Sequence, residues 1–402
     1  MKQEQKNLII LFFTLVVVML GFGMIIPIIP FFIESFGASG SSLGMLMASF
    51  AVMQFLFAPV WGSLSDRYGR KRFLVIGALG NGIAMLFFGL SSELWMLFAS
   101  RALSGILSSA TLPTAMAYIS DSTSDENRGG GMGVVGAAMG MGMVLGPGLG
   151  GWLAGSSLST PFFVAAALSV VAMIFVLVVL PESLPKEKRT STEGKIQGPQ
   201  FDEMGKALFS PIGILLVMAF LLSFGLTNFE AVFGLFSLEK HGYGPQRVGT
   251  VLTVIGLTSV LMQGVLTGPL TKRWGDVNLL RLSLVGSAIG FVFMLMANSF
   301  VTVLITVSVF VISNSLLRPV VSSLTSKRST SGQGMAMGLN NSFMSLGRIA
   351  GPLWAGFIFD VNYNYPYISG SIIMLVGYIV SLIWLSKDIA PQAEISPQPV
   401  SD

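Results

Sequence analysis

Gly62-Ser-Leu-Ser-Asp66-Arg67-Tyr-Gly69-Arg70-Lys71-Arg72 is a short charged turn set between two long uncharged runs, Ser35 to Ser65 and Phe73 to Ser92. A membrane span needs about 20 mostly apolar residues, and basic residues gather on the side of the membrane that is not translocated. The turn therefore reads as a connection between two transmembrane helices. The rest of the chain supports that reading. Only 10% of the 402 residues are charged, against roughly 25% in ordinary soluble proteins. A soluble enzyme of this size needs far more charge to cover its surface, so that class is excluded. There are no cysteines and one histidine, His241, which rules out disulfide frameworks, thiolate chemistry and a histidine metal cluster. His241 itself falls in an external loop, with no role assigned.

Working outward, the first apolar run is Asn7 to Ile33, and another extends from Glu93 through Ser120, broken by Arg101. Gly129 to Pro181 is long enough for two spans, divided by Gly155-Ser-Ser-Leu-Ser-Thr-Pro161. A polar stretch follows, 182–206. The second part repeats the layout: Ala207 to Leu238, Val248 to Thr271, two spans between Leu282 and Thr325, Met335 to Phe359, and Tyr367 to Ser386. The expected architecture is all-α and integral to the membrane, with twelve helices. Residues 1–181 form one six-helix half, 182–206 a linker, 207–388 a second half and 389–402 a disordered tail. With the N-terminus inside, 18 of the 23 Lys and Arg fall in cytoplasmic segments, and only Lys240 and Arg247 in external loops. Both termini and the linker are then cytoplasmic. The N-terminal run is too long for a signal-peptide core and lacks a small-residue cleavage site.

Glycines expose an internal repeat. Gly146-Pro-Gly-Leu-Gly-Gly151 returns as Gly351-Pro-Leu-Trp-Ala-Gly356, 205 positions later, and Gly62 to Gly69 as Gly268 to Gly275, 206 positions later. Matching offsets mean two halves of the same orientation, a known transporter architecture with substrate bound between the halves. In helix five, Ala138, Gly142, Gly146, Gly150 and Ala154 recur every four residues, a smooth face that admits a neighbouring backbone. Pro147 removes a donor and is expected to bend that helix.

The Gly62 to Arg72 turn resembles the loop signature of the major facilitator superfamily. Gly142-Met-Val-Leu-Gly146-Pro147-Gly148-Leu-Gly150-Gly151 is similar to the antiporter signature of its drug-efflux branch. Arg101-Ala-Leu-Ser-Gly105 and Gly21-Phe-Gly23 through Pro30 resemble two further motifs. Over residues 8 to 386 the chain resembles the twelve-helix drug:proton antiporters of Gram-positive bacteria, such as the norfloxacin- and bicyclomycin-type exporters. That resemblance implies a proton-driven multidrug exporter of the plasma membrane, not an enzyme, that alternates access between two rocking halves. It further implies a cytoplasmic-mouth network of Gly62, Asp66, Arg67, Gly69, Arg70 and Asp121 that holds the inner side closed and releases as the halves rock. The antiporter motif comprises Gly142, Gly146, Pro147, Gly150 and Gly151. Ile26, Phe50, Gln54, Met143, Phe229 and Asn340 are the expected substrate-lining positions. Where the norfloxacin-type pump carries an Asp before its arginine, this chain has no acid, and Arg348 is added.

Ionisable residues inside a span are costly and point to function. Four lie deep here: Glu230, Arg348, Arg101 and Arg318. A carboxylate in a partly dehydrated cavity can exchange a proton for a cation, which is the simplest antiport device; the blander alternative is that Glu230 only neutralises Arg348. No G-x-x-x-x-G-K-[ST] loop occurs, so ATP hydrolysis by this chain is not expected. No metal or cofactor is expected, and no nucleic-acid partner. The expected partners are protons, lipid and small amphipathic or cationic molecules, bound by a monomer. Helices one and three lack the acids of the tetracycline exporters of Gram-negative bacteria. Two alternatives stay open: a proton-linked exporter of one metabolite such as a sugar or amino acid, and a ligand-binding membrane protein that never cycles.

Overall fold

The computed structural model describes residues 3–124, 128–189, 198–329 and 332–385. The expected disordered tail, 389–402, and residues 190–197 of the linker lie outside the described residues. Among the described residues there is helix and connecting chain and no strand. In order the helices are α1 (Gln3–Ile25), α2 (Ile29–Glu34), α3 (Gly40–Tyr68), α4 (Arg70–Gly89), α5 (Leu94–Ser108), α6 (Thr111–Ser122), α7 (Arg128–Leu153) and α8 (Thr160–Val179). The short α9 (Phe201–Ala207) follows, then α10 (Gly213–His241), α11 (Pro245–Leu261), α12 (Thr267–Trp274), α13 (Asp276–Met296), α14 (Phe300–Arg328), α15 (Gln333–Phe359) and α16 (Tyr365–Trp384).

Among the described residues, eleven spans are long and apolar enough to cross a membrane. The twelfth expected span is α15, whose Asn340, Asn341, Ser345 and Arg348 dilute its apolar character. It is held in place by packing against α3 on one side and α10 on the other.

Prolines explain the interruptions. The first span breaks between α1 and α2 at Pro27. The fourth breaks at Ser109, whose carbonyl is the one that the ring of Pro113 crowds. A π-turn, Met262–Leu266, joins α11 to α12 and includes Val265, the residue facing the ring of Pro269. Ser299 and Thr302 form a reciprocal cap that starts α14.

The two halves have the same internal pairing. In the first, α1 packs on α7 and α8, and α4 on α8 and α5; in the second, α10 packs on α15 and α16, and α13 on α16 and α14. The duplicated turn glycines agree in backbone as well. Gly69 ends α3 at φ +100° and Gly275 ends α12 at φ +74°, conformations that L side chains rarely adopt.

The halves meet through α3 on α15 and α7 on α11. These contacts run from one end to about mid-helix, where Gly256 abuts Met143 and Gly140 abuts Val260. A Cβ on Gly151 would come within 2.5 Å of the Pro245 carbonyl oxygen, and one on Gly249 within 2.5 Å of the Pro147 oxygen. Gly44 and Gly356 are pressed onto the backbones of Pro352 and Gly40 in the same way. At the other end, which carries Arg67, Lys71, Arg72, Lys272, Arg273, Lys327 and Arg328, the glycines Gly62, Gly133, Gly136, Gly264, Gly268 and Gly338 have nothing within 4 Å of an added Cβ. The bundle is therefore closed at one end and parted at this basic end.

Candidate functional site

The basic-end turn is built on Arg70. Its guanidinium pairs with Asp66, donates from Nε to Asp121 Oδ2 at 2.9 Å and from Nη1 to Ser65 Oγ at 2.8 Å. Glu182 accepts from the first backbone amides of α4, Arg70 N at 2.8 Å and Lys71 N at 3.3 Å, so it supplies a distant N-terminal cap. Arg67 is also engaged, whereas Gly62 faces open space. Asp66 and Asp121 meet on Arg70 as expected, but every partner named here belongs to the first half or, for Glu182, to the first residue of the linker. The pairs are formed while the basic end is parted. Glu182 escaped the sequence reading because its target lies 112 residues away.

The glycine face of α7 seats α1. Gly142 lies on Met19, Gly146 on Gly23 and Gly150 on the Met24 carbonyl, with Ala138 and Ala154 buried on the same line. Gly148 and Gly151 turn instead to α11, and α7 runs as one helix through Pro147. The motif thus serves two neighbours, one inside its own half and one across the divide.

Glu230 and Arg348 are each 11 residues from the closed-end termini of α10 and α15, about 16 Å down at 1.5 Å per residue. Both are half-buried, and Arg318 is exposed. None of the three makes a hydrogen bond or ion pair to a described residue. Arg348 lies within electrostatic reach of both Glu230 and Arg318. Just above Glu230, towards the closed end, Gly234 abuts Pro30 of the first half. Glu230 therefore lies one turn below a contact between α10 and the first half. Arg101 is apart from this group. It is 2% exposed, 4.5 Å over the Phe50 ring and 3.8 Å from Met47 Sδ, with Nε and Nη1 unpartnered.

The expected lining positions divide. Ile26 and Gln54 are half-buried, Met143 is 36% exposed, and Phe50 faces Arg101. Asn340 is almost wholly buried, donating to Ser322 Oγ at 3.4 Å. Phe229 is 1% exposed, packed against Phe233, Phe310 and Tyr367, and belongs to the core of its half.

The closed end carries a contact that sequence reading missed. Asp360, at the end of α15, accepts from Gly40 N at 2.7 Å and Ser41 N at 3.0 Å, capping α3 of the other half. It lines a cavity of about 370 Å³ together with Glu34 and Glu239. Burial first, and the charge of Glu239 second, push the Glu34 carboxyl above its ordinary value. A carboxyl that holds its proton more tightly in the closed form favours that form at low pH. The advantage is full below the ordinary carboxylate range and is lost as pH rises through the raised value. Spin labels on Ser92Cys and Asn298Cys, introduced into this cysteine-free chain, should therefore separate as pH rises through that window. Glu34→Gln should flatten the response; an unchanged response in the variant would assign the transition to another group.

These features coincide with a known sequence family. The sequence profile of the Major Facilitator Superfamily matches residues 11–244 and 215–400. The chain belongs to the Major Facilitator Superfamily. Among the superfamily's curated members, Multidrug resistance protein 2 of Bacillus subtilis (strain 168) is 34% identical over 387 residues, 96% of each chain. Quinolone resistance protein NorA of Staphylococcus aureus (strain Mu50 / ATCC 700699) is 29% identical over 379 residues, 94% of this chain and 96% of the relative. The crystal structure of nucleoside transporter NupG superposes with a TM-score of 0.78 at 15% identity, covering 96% of this chain and all of that one. The chain is thus a multi-pass membrane protein with the superfamily's transporter fold.

Proposed function

We propose that this chain is a proton-coupled exporter of amphipathic, often cationic compounds, acting as a monomer in the bacterial cytoplasmic membrane. The names of its relatives, a multidrug resistance protein and a quinolone resistance protein, support drug efflux. The charge bias supports a cytoplasmic basic end, linker and termini. The conformation described is then inward-open. Residues 1–181 and 207–388 rock about the glycine contacts of α3 with α15 and α7 with α11.

The observation that carries the reading is Glu230, a carboxylate deep in a span that makes no hydrogen bond or ion pair to a described residue. In such a position it can hold a proton or a cationic substrate but not both. Cation bound from the cytoplasm leaves outward, and a proton returns in its place. Ile26, Phe50 and Met143 offer apolar walls beside the amide of Gln54, and adaptable Met and aromatic faces suit varied cargo. Asp66, Arg70 and Asp121 brace the inner end of the first half.

Ethidium efflux from energised cells tests this. Cells carrying the chain should expel ethidium, and a protonophore should stop it. Efflux that survives the protonophore would overturn proton coupling. Absence of efflux across a panel of lipophilic cations would favour export of one specific metabolite.

A further inference from the structure

The end of the linker touches both halves. Its short helix α9 is fastened to the second: Met204 and Ala207 are buried, the helix packs on α15, and Gly213 at the start of α10 is pressed onto the Leu208 carbonyl. Turn bonds from Phe209 N to the Lys206 oxygen and from Ser210 N to the Ala207 oxygen leave little slack between α9 and α10. α9 therefore travels with the second half. Yet Phe201, its first residue, stands edge-on to Phe55 of α3 in the first half, with ring centroids 5.9 Å apart.

Phe55 marks a particular side of α3. At the closed end that side carries Gly44, where an added Cβ would come within 3.3 Å of the Gly356 Cα of α15. Eleven residues make about three turns, so Phe55 follows Gly44 along the same side. Eighteen residues make about five turns, so Gly62 on α3 and Gly338 on α15 repeat the two touching sides at the basic end. Both of those glycines have nothing within 4 Å of an added Cβ. The facing sides of the two helices are thus joined at one end and apart at the other. Phe55 lies between, about 20 Å from the basic end of α3 at 1.5 Å per residue, and there Phe201 covers it.

We propose that α9 is a wedge built into the linker: carried by the second half, it seats Phe201 on the side of α3 that α15 must reach for the basic end to close, and so holds that end open. The wedge is removable. Phe201 keeps 59% of its surface exposed, so little but the one ring contact retains it. An aromatic pair shifts an equilibrium about fivefold, enough to bias two conformations and too little to lock either. For the basic ends to meet, Phe201 leaves Phe55 as α3 and α15 approach. The linker then helps to set the balance between the two forms, and does more than join the halves.

Spin labels on Ser124→Cys and Arg273→Cys, one on each half at the basic end, test this in purified full-length protein in lipid nanodiscs. The distance measurement needs no transport, so its outcome is separate from that of the export reading. Wild type should show mainly the long distance. Phe201→Ala should raise the ratio of short to long distances about fivefold; the ring is largely exposed, so folding is not at stake. Phe55→Ala removes the other ring and should give the same shift, and the double variant should shift no further than either single one. Phe209→Ala, which removes a 94% exposed ring from the same segment, should leave the distribution unchanged. A wild-type distribution in Phe201→Ala would overturn the proposal. So would an equal shift in Phe209→Ala, which would assign the effect to the apolarity of the linker as a whole. A double variant that adds the two single shifts would also overturn it, because the two rings would then act apart.

Discussion

Glu230→Gln is expected to abolish gradient-driven efflux of a monovalent cation, a loss of about 100-fold or more in rate at subsaturating substrate. The amide keeps the shape of the side chain and removes both its charge and its proton. Removing one partner of a charge pair in a low-dielectric site costs about 3–5 kcal/mol, and 2.7 kcal/mol already corresponds to 100-fold. Since no described residue bonds to Glu230, the substitution strands no buried hydrogen-bond partner among them, and the helical packing around Gly234 and Thr227 is untouched. The variant should be made in normal amount and fail in transport alone. Ethidium efflux with and without a protonophore reads this. Protonophore-sensitive efflux at wild-type rate in the variant would move the coupling proton to another acid, with Asp66 and Asp121 next to be replaced.

The second large effect separates folding from switching. Gly150 rests on the Met24 carbonyl within the first half, so Gly150→Val should prevent α1 from seating on α7 in any conformation. Backbone cannot yield as a flexible side chain can, and overpacking by even small groups costs about 1–3 kcal/mol. An isopropyl group on a contact this close should leave little folded protein, measured as the monodisperse fraction after detergent extraction. Gly44 is equally tight, but its neighbour, Pro352, belongs to the other half. Gly44→Ala should fold and shift the population away from the closed outer end, seen as a longer Ser92Cys to Asn298Cys distance. Loss of folded protein in Gly44→Ala would mean that the α3–α15 contact is part of the folding core and not of the switch.

Sequence legibility followed the range of the interaction. The spans, the charge bias and the repeat are local or periodic patterns, and all appear in the helices and in the paired turns at Gly69 and Gly275. The Gly142, Gly146 and Gly150 face was legible because one helix carries it whole. The expected pairing of Arg70 with Asp66 and Asp121 was met within one half. Contacts between distant elements were not legible. Asp360 caps a helix 320 residues earlier in the chain, and nothing in Phe359-Asp360-Val361 announces it. Phe229 sits beside Glu230, yet one step around the helix, about 100°, turns it into the aromatic core of its half. The breaks at Pro27 and Ser109 follow from proline sterics, whereas the polar α15 shows that a span can be held by its neighbours where its own apolarity falls short.

The single deep carboxylate has an electrical consequence. One acid exchanging one proton for one monovalent cation moves no net charge, so ethidium export draws on the pH difference alone and is blind to voltage. A zwitterion leaving as a proton enters does move one charge. The membrane voltage then adds about 2.3 kcal/mol per 100 mV to the driving force. The same protein would be a neutral exchanger for one kind of drug and a current-carrying one for another, and clamping the potential with potassium and valinomycin would tell them apart.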